Sequence, residues 1–325
     1  MERYEFYMKI EKTAVLGLGA IGCTVAPGLQ KVLGHENFCV IASGERKQKL
    51  EQHGKTINGT NYSFKVSDTK EKDIQDLIIV AVKASGLMSA IQDISSHVGE
   101  QTVILSLMNG VTSEEQFAAV YGREKVLYSL TTISSQIRSG EAFYSLEAGC
   151  IRFGEADNTV QSDRVQAVAQ LFERAGIPYE IPRDMRLALW EKFLFNVSNN
   201  TVAAILHARH FYFQKIEAAN RARRMVLEEA AAVAEAMQIP VTQELLDGCM
   251  FYSDAYPADG YCSMVQDIEA GRKTEKEIFL GDLIRMADSV QVPVPICRFL
   301  YQILEAMETA AAAGRKEHIR KTEYK

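Results

Sequence analysis

Three glycines behind a short apolar run constrain this chain more than any other stretch. The segment reads Thr13-Ala14-Val15-Leu16-Gly17-Leu18-Gly19-Ala20-Ile21-Gly22. Thr13 to Leu16 is β-branched and apolar, as a strand buried on both faces requires. Gly17, Gly19 and Gly22 then fall at the G-x-G-x-x-G spacing, and Cys23 to Val32 can form a helix. In a dinucleotide site the glycines serve different ends. Gly17 permits a tight turn, Gly19 lets backbone approach a pyrophosphate, and Gly22 lets the helix press on the strand. Leu18, Ala20 and Ile21 complete the cofactor-binding turn. The helix N-terminus then offers N–H groups and partial positive charge to the phosphates. Glycine triplets also occur in ordinary loops; a strand before and a helix after set this one apart.

The following segments extend an α/β pattern. Phe38 to Ala42 reads as a second strand, ending in Ser43-Gly44-Glu45-Arg46-Lys47. An NAD site places an acid about 20 residues past the glycines, on the ribose hydroxyls. No acid sits directly at this strand end, whereas Arg46, Lys47 and Lys49 lie just beyond it and suit the 2′-phosphate of NADPH. A solvated basic turn is the competing reading, and Glu45 keeps NAD in play. Asp76 to Lys83 and Thr102 to Leu107 are near-continuous apolar strands of the kind a parallel sheet buries. Lys83 and Asn109 stand at or just past their carboxyl ends, where open parallel sheets bind ligands. Taken alone, Lys83 is equally a solvated strand end and Asn109 a turn former ahead of Gly110.

Further strands are expected at Lys125 to Tyr128 and Cys150 to Phe153, with a helix at Asp163 to Ala175. Gly176-Ile177-Pro178 and Ile181-Pro182 then punctuate the chain. From Arg183 onward strand patterns nearly vanish and helical periodicity takes over, notably over Ile216 to Met237 and Glu275 to Val290. The expected architecture is an α/β Rossmann-like doubly wound domain over residues 1–182 and an all-helical domain over residues 183–325. The tail after Ala313 is basic and expected to fray.

Length and composition fit two soluble domains: 325 residues, 47% apolar and 24% charged. A net charge of −6 and a pI near 5.7 argue against a general nucleic-acid or anionic-membrane surface. No apolar run has membrane-spanning length, and the charged first residues are unlike a signal peptide, so a cytoplasmic location is expected. Residues Glu2 to Tyr7 have no evident role, and Met8 is an alternative natural start. The six cysteines form no C-x-x-C pair or Cys/His cluster, which predicts reduced thiols and neither zinc nor a disulfide framework.

Met185 to Leu206 reads as one long helix. Lys192, Asn196 and Asn200 fall at i, i+4 and i+8, so they share one stripe among mostly apolar neighbours. Burying an ammonium or amide without partners is costly. The stripe therefore faces either solvent or a polar ligand in a cleft, and spacing alone leaves both open.

Several blocks in order carry a resemblance. They are Gly-Leu-Gly-Ala-Ile-Gly at 17–22, Val-Lys-Ala at 82–84 and Asn109-Gly110, then Leu189-Trp190-Glu191-Lys192 with Asn196 and Asn200. Ser263-Met264-Val265-Gln266-Asp267 and Thr274-Glu275 complete them. In these blocks the chain resembles ketopantoate reductases (2-dehydropantoate 2-reductases) over almost its whole length. The resemblance implies a Rossmann domain followed by a helical domain, with the active site in the cleft between them. It further implies Lys192 as general acid, Asn109, Asn196, Asn200 and Ser263 as ligands of a small 2-keto acid, and Glu275 as a cofactor contact that helps position Lys192. NADPH is the implied cofactor and reduction of ketopantoate to pantoate, in pantothenate and coenzyme A synthesis, the implied reaction. A homodimer is compatible with the sequence and not specified by it.

The chain departs from the family pattern at three places. Ser43 stands where many members carry an arginine, which leaves the phosphate to Arg46 or Lys47. His210 stands near a further substrate-contact asparagine of some members, and Cys262 replaces a serine before Ser263. His210 is the best argument for an alternative, a paralogue reducing another branched 2-keto acid. A non-catalytic NADPH-binding sensor is a third reading; it leaves Lys192, Asn196, Asn200, Ser263 and Glu275 without a role.

Overall fold

The computed structural model describes residues 8–147, 149–252 and 256–323, with side chains as far as residue 313. Its strands, in order, are β1 (Thr13–Leu16), β2 (Phe38–Ile41), β3 (Lys55–Ile57), β4 (Thr60–Tyr62), β5 (Lys65–Ser67), β6 (Gln75–Val80), β7 (Val98–Ser106), β8 (Val126–Thr131), β9 (Ser135–Arg138), β10 (Glu141–Tyr144), β11 (Ile151–Gly154) and β12 (Tyr179–Glu180). Five helices accompany them: α1 (Gly22–Leu33), α2 (Gly44–His53), α3 (Leu87–Asp93), α4 (Ser113–Tyr121) and α5 (Asp163–Ala175).

Eight strands form one sheet in the order β12-β11-β8-β7-β6-β1-β2-β5. From β5 to β8 all pairings are parallel, and β11 adds antiparallel to β8. This is the strand order of a dinucleotide-binding fold, which reverses direction at β1. Alternation of side chains explains why the central strands are apolar at every residue. Val15, Leu77 and Ile79 join one core with α1 and α5; Ala14, Leu16, Ile78 and Val80 join a second with α3 and α4. Close approach of α1 and α5 needs Gly28, because a Cβ there would lie 2.5 Å from the Ala175 carbonyl oxygen. The end of α5 follows the usual helix-stop chemistry, with Gly176 left-handed at φ 67.

Several details differ from sequence expectation. The strand expected over Asp76 to Lys83 ends at Val80, and β7 runs from Val98 to Ser106. Arg46 and Lys47 lie in the first turns of α2 and not in an open turn. A second sheet, β4-β3-β10-β9, has no counterpart in the sequence reading. Its strands are only three or four residues long and largely polar, and they acquire partners through hairpins and the long-range pair Ala142↔Ile57.

The remaining helices are α6 (Met185–Leu206), α7 (His210–Lys215), α8 (Glu217–Ala236), α9 (Gln243–Met250), α10 (Ser263–Glu269), α11 (Asp282–Ser289) and α12 (Pro295–Glu323). The chain divides into two compact units, Met1–Leu189 and Trp190–Lys325. The boundary expected from sequence at Arg183 lies just ahead of α6, and the division falls within that helix. Met185, Ala188 and Leu189 pack with Leu130 of β8 in the first unit. The pattern over Glu275 to Val290 is helical but opens into a π-helical stretch, Glu277–Gly281, before α11. Helix α12 continues past Ala313, where fraying is expected, as far as Glu323; the lysines, arginines and glutamates there favour helix. No helix among the described residues is long and apolar enough to cross a membrane. Residues 2–7, ahead of the alternative start at Met8, lie outside the described residues.

Candidate functional site

In the first unit the three glycines are separated by what surrounds them. Gly17 follows β1 with φ +96, and a Cβ there would come within 2.7 Å of the Ala81 carbonyl oxygen. A Cβ on Gly22 would lie 2.1 Å from the Gly17 carbonyl oxygen, so α1 can begin at this point only with glycine. Gly19 differs: no protein atom lies within 4 Å of its notional Cβ. The position of that Cβ is open on the exposed side of the turn, at the strand-order reversal where such sheets bind ligands. Leu18, Ala20 and Ile21 surround it, Leu18 and Ala20 at the tip of the turn. No side chain caps α1; the Cys23 N–H donates to Gly19 O at 3.1 Å and the Thr24 hydroxyl to Ile21 O at 2.7 Å. An open glycine at an uncapped helix start fits a pyrophosphate.

Beyond β2 the basic residues are unequal. Lys47 is 3.6 Å from Asp68 and Lys49 is 3.6 Å from Glu45. Arg46 is exposed in the first turn of α2. Burial pushes the Asp93 carboxyl up, and the Arg46 charge opposes that. Glu45, which would favour NAD, is drawn into the exposed pair with Lys49.

Lys83 precedes a short 3₁₀ turn, Ala84–Gly86, three residues past β6. Asn109 is half-buried in the turn after β7, followed by Gly110 at φ +97. A buried hydroxyl–carboxyl set closes this turn. Ser106 and Ser113 share a 2.8 Å hydrogen bond, Ser113 Oγ donates to Glu114 Oε2 at 2.9 Å, and Ser129 Oγ donates to Ser106 O at 2.8 Å. Ser129 N also donates to Glu114 Oε1, at 3.4 Å. Burial pushes the Glu114 carboxyl up to about 7, against the hydrogen bonds from its own N–H, Ser113 and Ser129 and the charge of Arg123. The sequence reading missed this group. Its only signal was an acid in the first turn of a helix, which usually marks a solvated end.

In the second unit the lysine–amide stripe is not solvated along its length. Lys192 is half-buried, while Asn196 and Asn200 are 9% and 6% exposed. Asn200 Nδ2 lies 3.4 Å from both Asn196 Oδ1 and Ser263 Oγ. Ser263 opens α10 and is exposed. Ser263, distant in sequence, is thus brought to the Asn196 and Asn200 pair of α6. Glu275 is half-buried just before the π-helical stretch, and its carbonyl accepts from Ile278 N at 3.1 Å and Phe279 N at 3.2 Å.

His210 belongs to an aromatic cluster. Its Nδ1 shares a 2.5 Å hydrogen bond with the Tyr252 hydroxyl, and its ring lies 5.5 Å from Tyr252 and 5.3 Å from Tyr256. Tyr252 in turn stacks on Phe195 at 6.3 Å and 17°. Burial holds the imidazole below its usual pKa, with Asp259 pulling upward. Phe195 lies at i+3 from Lys192, so the cluster starts beside the polar stripe on α6.

A parallel sheet with an open glycine at its reversal point, followed by a helical unit carrying a lysine and clustered amides, defines a dinucleotide-fold protein with a separate helical half. Residues 13–158 match the family model described as Ketopantoate reductase PanE/ApbA, and residues 184–308 match Ketopantoate reductase PanE/ApbA C terminal. The chain belongs to the ketopantoate reductase family and is an oxidoreductase of that family. It is 26% identical over 310 residues to the 2-dehydropantoate 2-reductase of Aquifex aeolicus, covering 92% of this chain and 97% of that one. An uncharacterized oxidoreductase of Bacillus subtilis is 24% identical over 91% of this chain and 99% of its own length. Among solved structures, a D-mandelate dehydrogenase with NADH and anilino(oxo)acetate has a TM-score of 0.84 at 23% identity, covering 93% of this chain and 99% of that one. A PanE/ApbA family ketopantoate reductase from Ralstonia eutropha gives a TM-score of 0.77 at 24% identity, over 93% of this chain and 99% of that one. At these identities the structural likeness speaks for the fold.

Proposed function

We propose that this protein is an NADPH-dependent 2-dehydropantoate 2-reductase, forming (R)-pantoate for pantothenate and coenzyme A synthesis in the cytoplasm. The observation that carries the proposal is that Asn200, on the helix that also bears Asn196 and Lys192, lies 3.4 Å from both Asn196 Oδ1 and Ser263 Oγ of α10. Family membership makes a small 2-keto acid the fitting occupant. The cofactor, when bound, supplies the hydride. Gly17, Leu18, Gly19, Ala20, Ile21 and Gly22 hold its pyrophosphate, Lys83 and Asn109 its nicotinamide side, and Glu275 its ribose. Arg46 takes the 2′-phosphate, because Lys47 and Lys49 are each paired with a carboxylate at 3.6 Å, whereas Arg46 affects Asp93 only through its charge.

As C2 of the keto acid is reduced, the carbonyl π electrons move to oxygen. The Lys192 ammonium stabilises that charge and donates the proton that makes the alcohol. Asn109, Asn196, Asn200 and Ser263 orient the carboxylate and hydroxyl of the substrate. A homodimer is part of the proposal; the ketopantoate reductase of Staphylococcus aureus is described as dimeric.

A second reading has its own observation. The His210, Tyr252, Tyr256 and Phe195 rings beside the stripe favour a bulkier or aromatic 2-keto acid, and one structural neighbour is a D-mandelate dehydrogenase. Following NADPH oxidation with 2-dehydropantoate, other branched 2-keto acids and benzoylformate decides between them. The highest kcat/KM for 2-dehydropantoate supports the first reading; a higher value for benzoylformate replaces it with the second. No oxidation with any of them removes both.

A further inference from the structure

Glu275 sits between two residues that one helix grips. Glu308 of α12 accepts from Thr274 N at 2.8 Å and from Thr274 Oγ1 at 2.7 Å, both through Oε1. Its other oxygen lies 3.3 Å from Lys276 Nζ. Lys276 is 6% exposed and also pairs with Glu305 at 2.6 Å and Glu277 at 3.2 Å. Its ammonium lies 5.1 Å from the centre of the Tyr301 ring, and the Tyr301 hydroxyl donates to Glu277. Burial works to lower the Lys276 pKa, but the carboxylates of Glu305, Glu277 and Glu308 outweigh it and keep the ammonium charged. On the far side, the Glu275 carbonyl accepts two N–H groups where the helix widens into its π-helical stretch. Such stretches are frequent at functional sites.

The residues on both sides of Glu275 are therefore tied to α12, Thr274 through its N–H and hydroxyl and Lys276 through its ammonium, and the proposed reaction uses neither tie directly. We propose that Glu308 and Lys276 are positioning residues for Glu275. They hold residues 274 and 276 to α12, so that the Glu275 carboxylate is presented in one orientation. The proposal rests on the reading that Glu275 serves the cofactor.

The test is a double-mutant cycle of Glu308→Gln and Glu275→Gln, with Lys276→Met and Lys276→Arg alongside. NADPH affinity is read by fluorescence titration, kcat and KM by NADPH oxidation, and folding by urea midpoint. A misplaced group costs on the order of 10- to 100-fold. Glu308→Gln and Lys276→Met should each weaken NADPH binding or kcat by about tenfold in protein that is folded by its urea curve. Lys276→Arg, which keeps the charge, should restore most of the loss. In the Glu275→Gln background Glu308→Gln should add little. A full additional loss there overturns the proposal, because Glu308 would then act elsewhere. So does a lowered urea midpoint with unchanged affinity and kcat, which is the signature of a merely structural tie. Wild-type affinity and kcat in Glu275→Gln itself overturn the cofactor role of Glu275, and the positioning role with it.

Discussion

Glu114→Gln should remove a pH-dependent destabilisation from the first unit. The carboxyl is fully buried and pushed up to about 7, from an ordinary value of 4.5. A folded-state pKa above the unfolded one means that the native state holds the proton more tightly. Stability from this group is therefore complete below about pH 4.5 and is lost as pH rises through about 7. The full span corresponds to about 3 kcal/mol at 1.36 kcal/mol per tenfold change in proton affinity. Between pH 5 and pH 8 the linkage relation leaves about 2–3 kcal/mol of that to be seen. The glutamine has nearly the same shape, no charge, and can keep the contacts to Ser113 and Ser129. Arg123 does not cancel the effect, because it is engaged by Glu115 at 3.1 Å. The assay is urea unfolding of both proteins at pH 5, 6, 7 and 8, taking their difference so that other titrating groups cancel. The variant should gain on the wild type as pH rises, by about 2–3 kcal/mol across the series. A constant difference, or one that moves the other way, would refute the reasoning: Glu114 would then be charged and fully compensated by its hydrogen bonds.

Gly19→Val should abolish NADPH binding while leaving the urea midpoint nearly unchanged, because a Cβ at this position meets no protein atom within 4 Å; unaltered affinity by fluorescence titration would make the turn merely structural. Lys192→Ala should lower kcat by roughly 10²- to 10⁴-fold with little change in NADPH affinity, and near-normal turnover would remove it from the proton transfer. Arg46→Ala should erase most of a preference for NADPH over NADH, about tenfold to a hundredfold in affinity for one charge-assisted phosphate contact. Equal affinities of the unmutated protein for both cofactors would defeat that assignment.

The amino-acid sequence by itself determined the α/β first half, the helical second half and the glycine turn. These are local properties. Buried parallel strands must be apolar at every position, α6 carries its period over Met185–Leu206, and a G-x-G-x-x-G turn needs residues without side chains at fixed spacing. The Lys192, Asn196 and Asn200 stripe was legible for the same reason, as helical spacing alone puts them on one face.

Only the tertiary structure decided what that face meets. Burial of Asn196 and Asn200 and the approach of Asn200 to Ser263 join residues more than 60 positions apart, and no local pattern encodes such a meeting. The second sheet escaped because three-residue polar strands have no periodicity until Ala142 finds Ile57. Glu114 and Lys276 escaped for a stronger reason. In sequence each is a charged residue at a helix start, the commonest solvated position, and it is the packing of α4 under β7 and β8, or of α12 over residues 274–277, that takes the charge out of water.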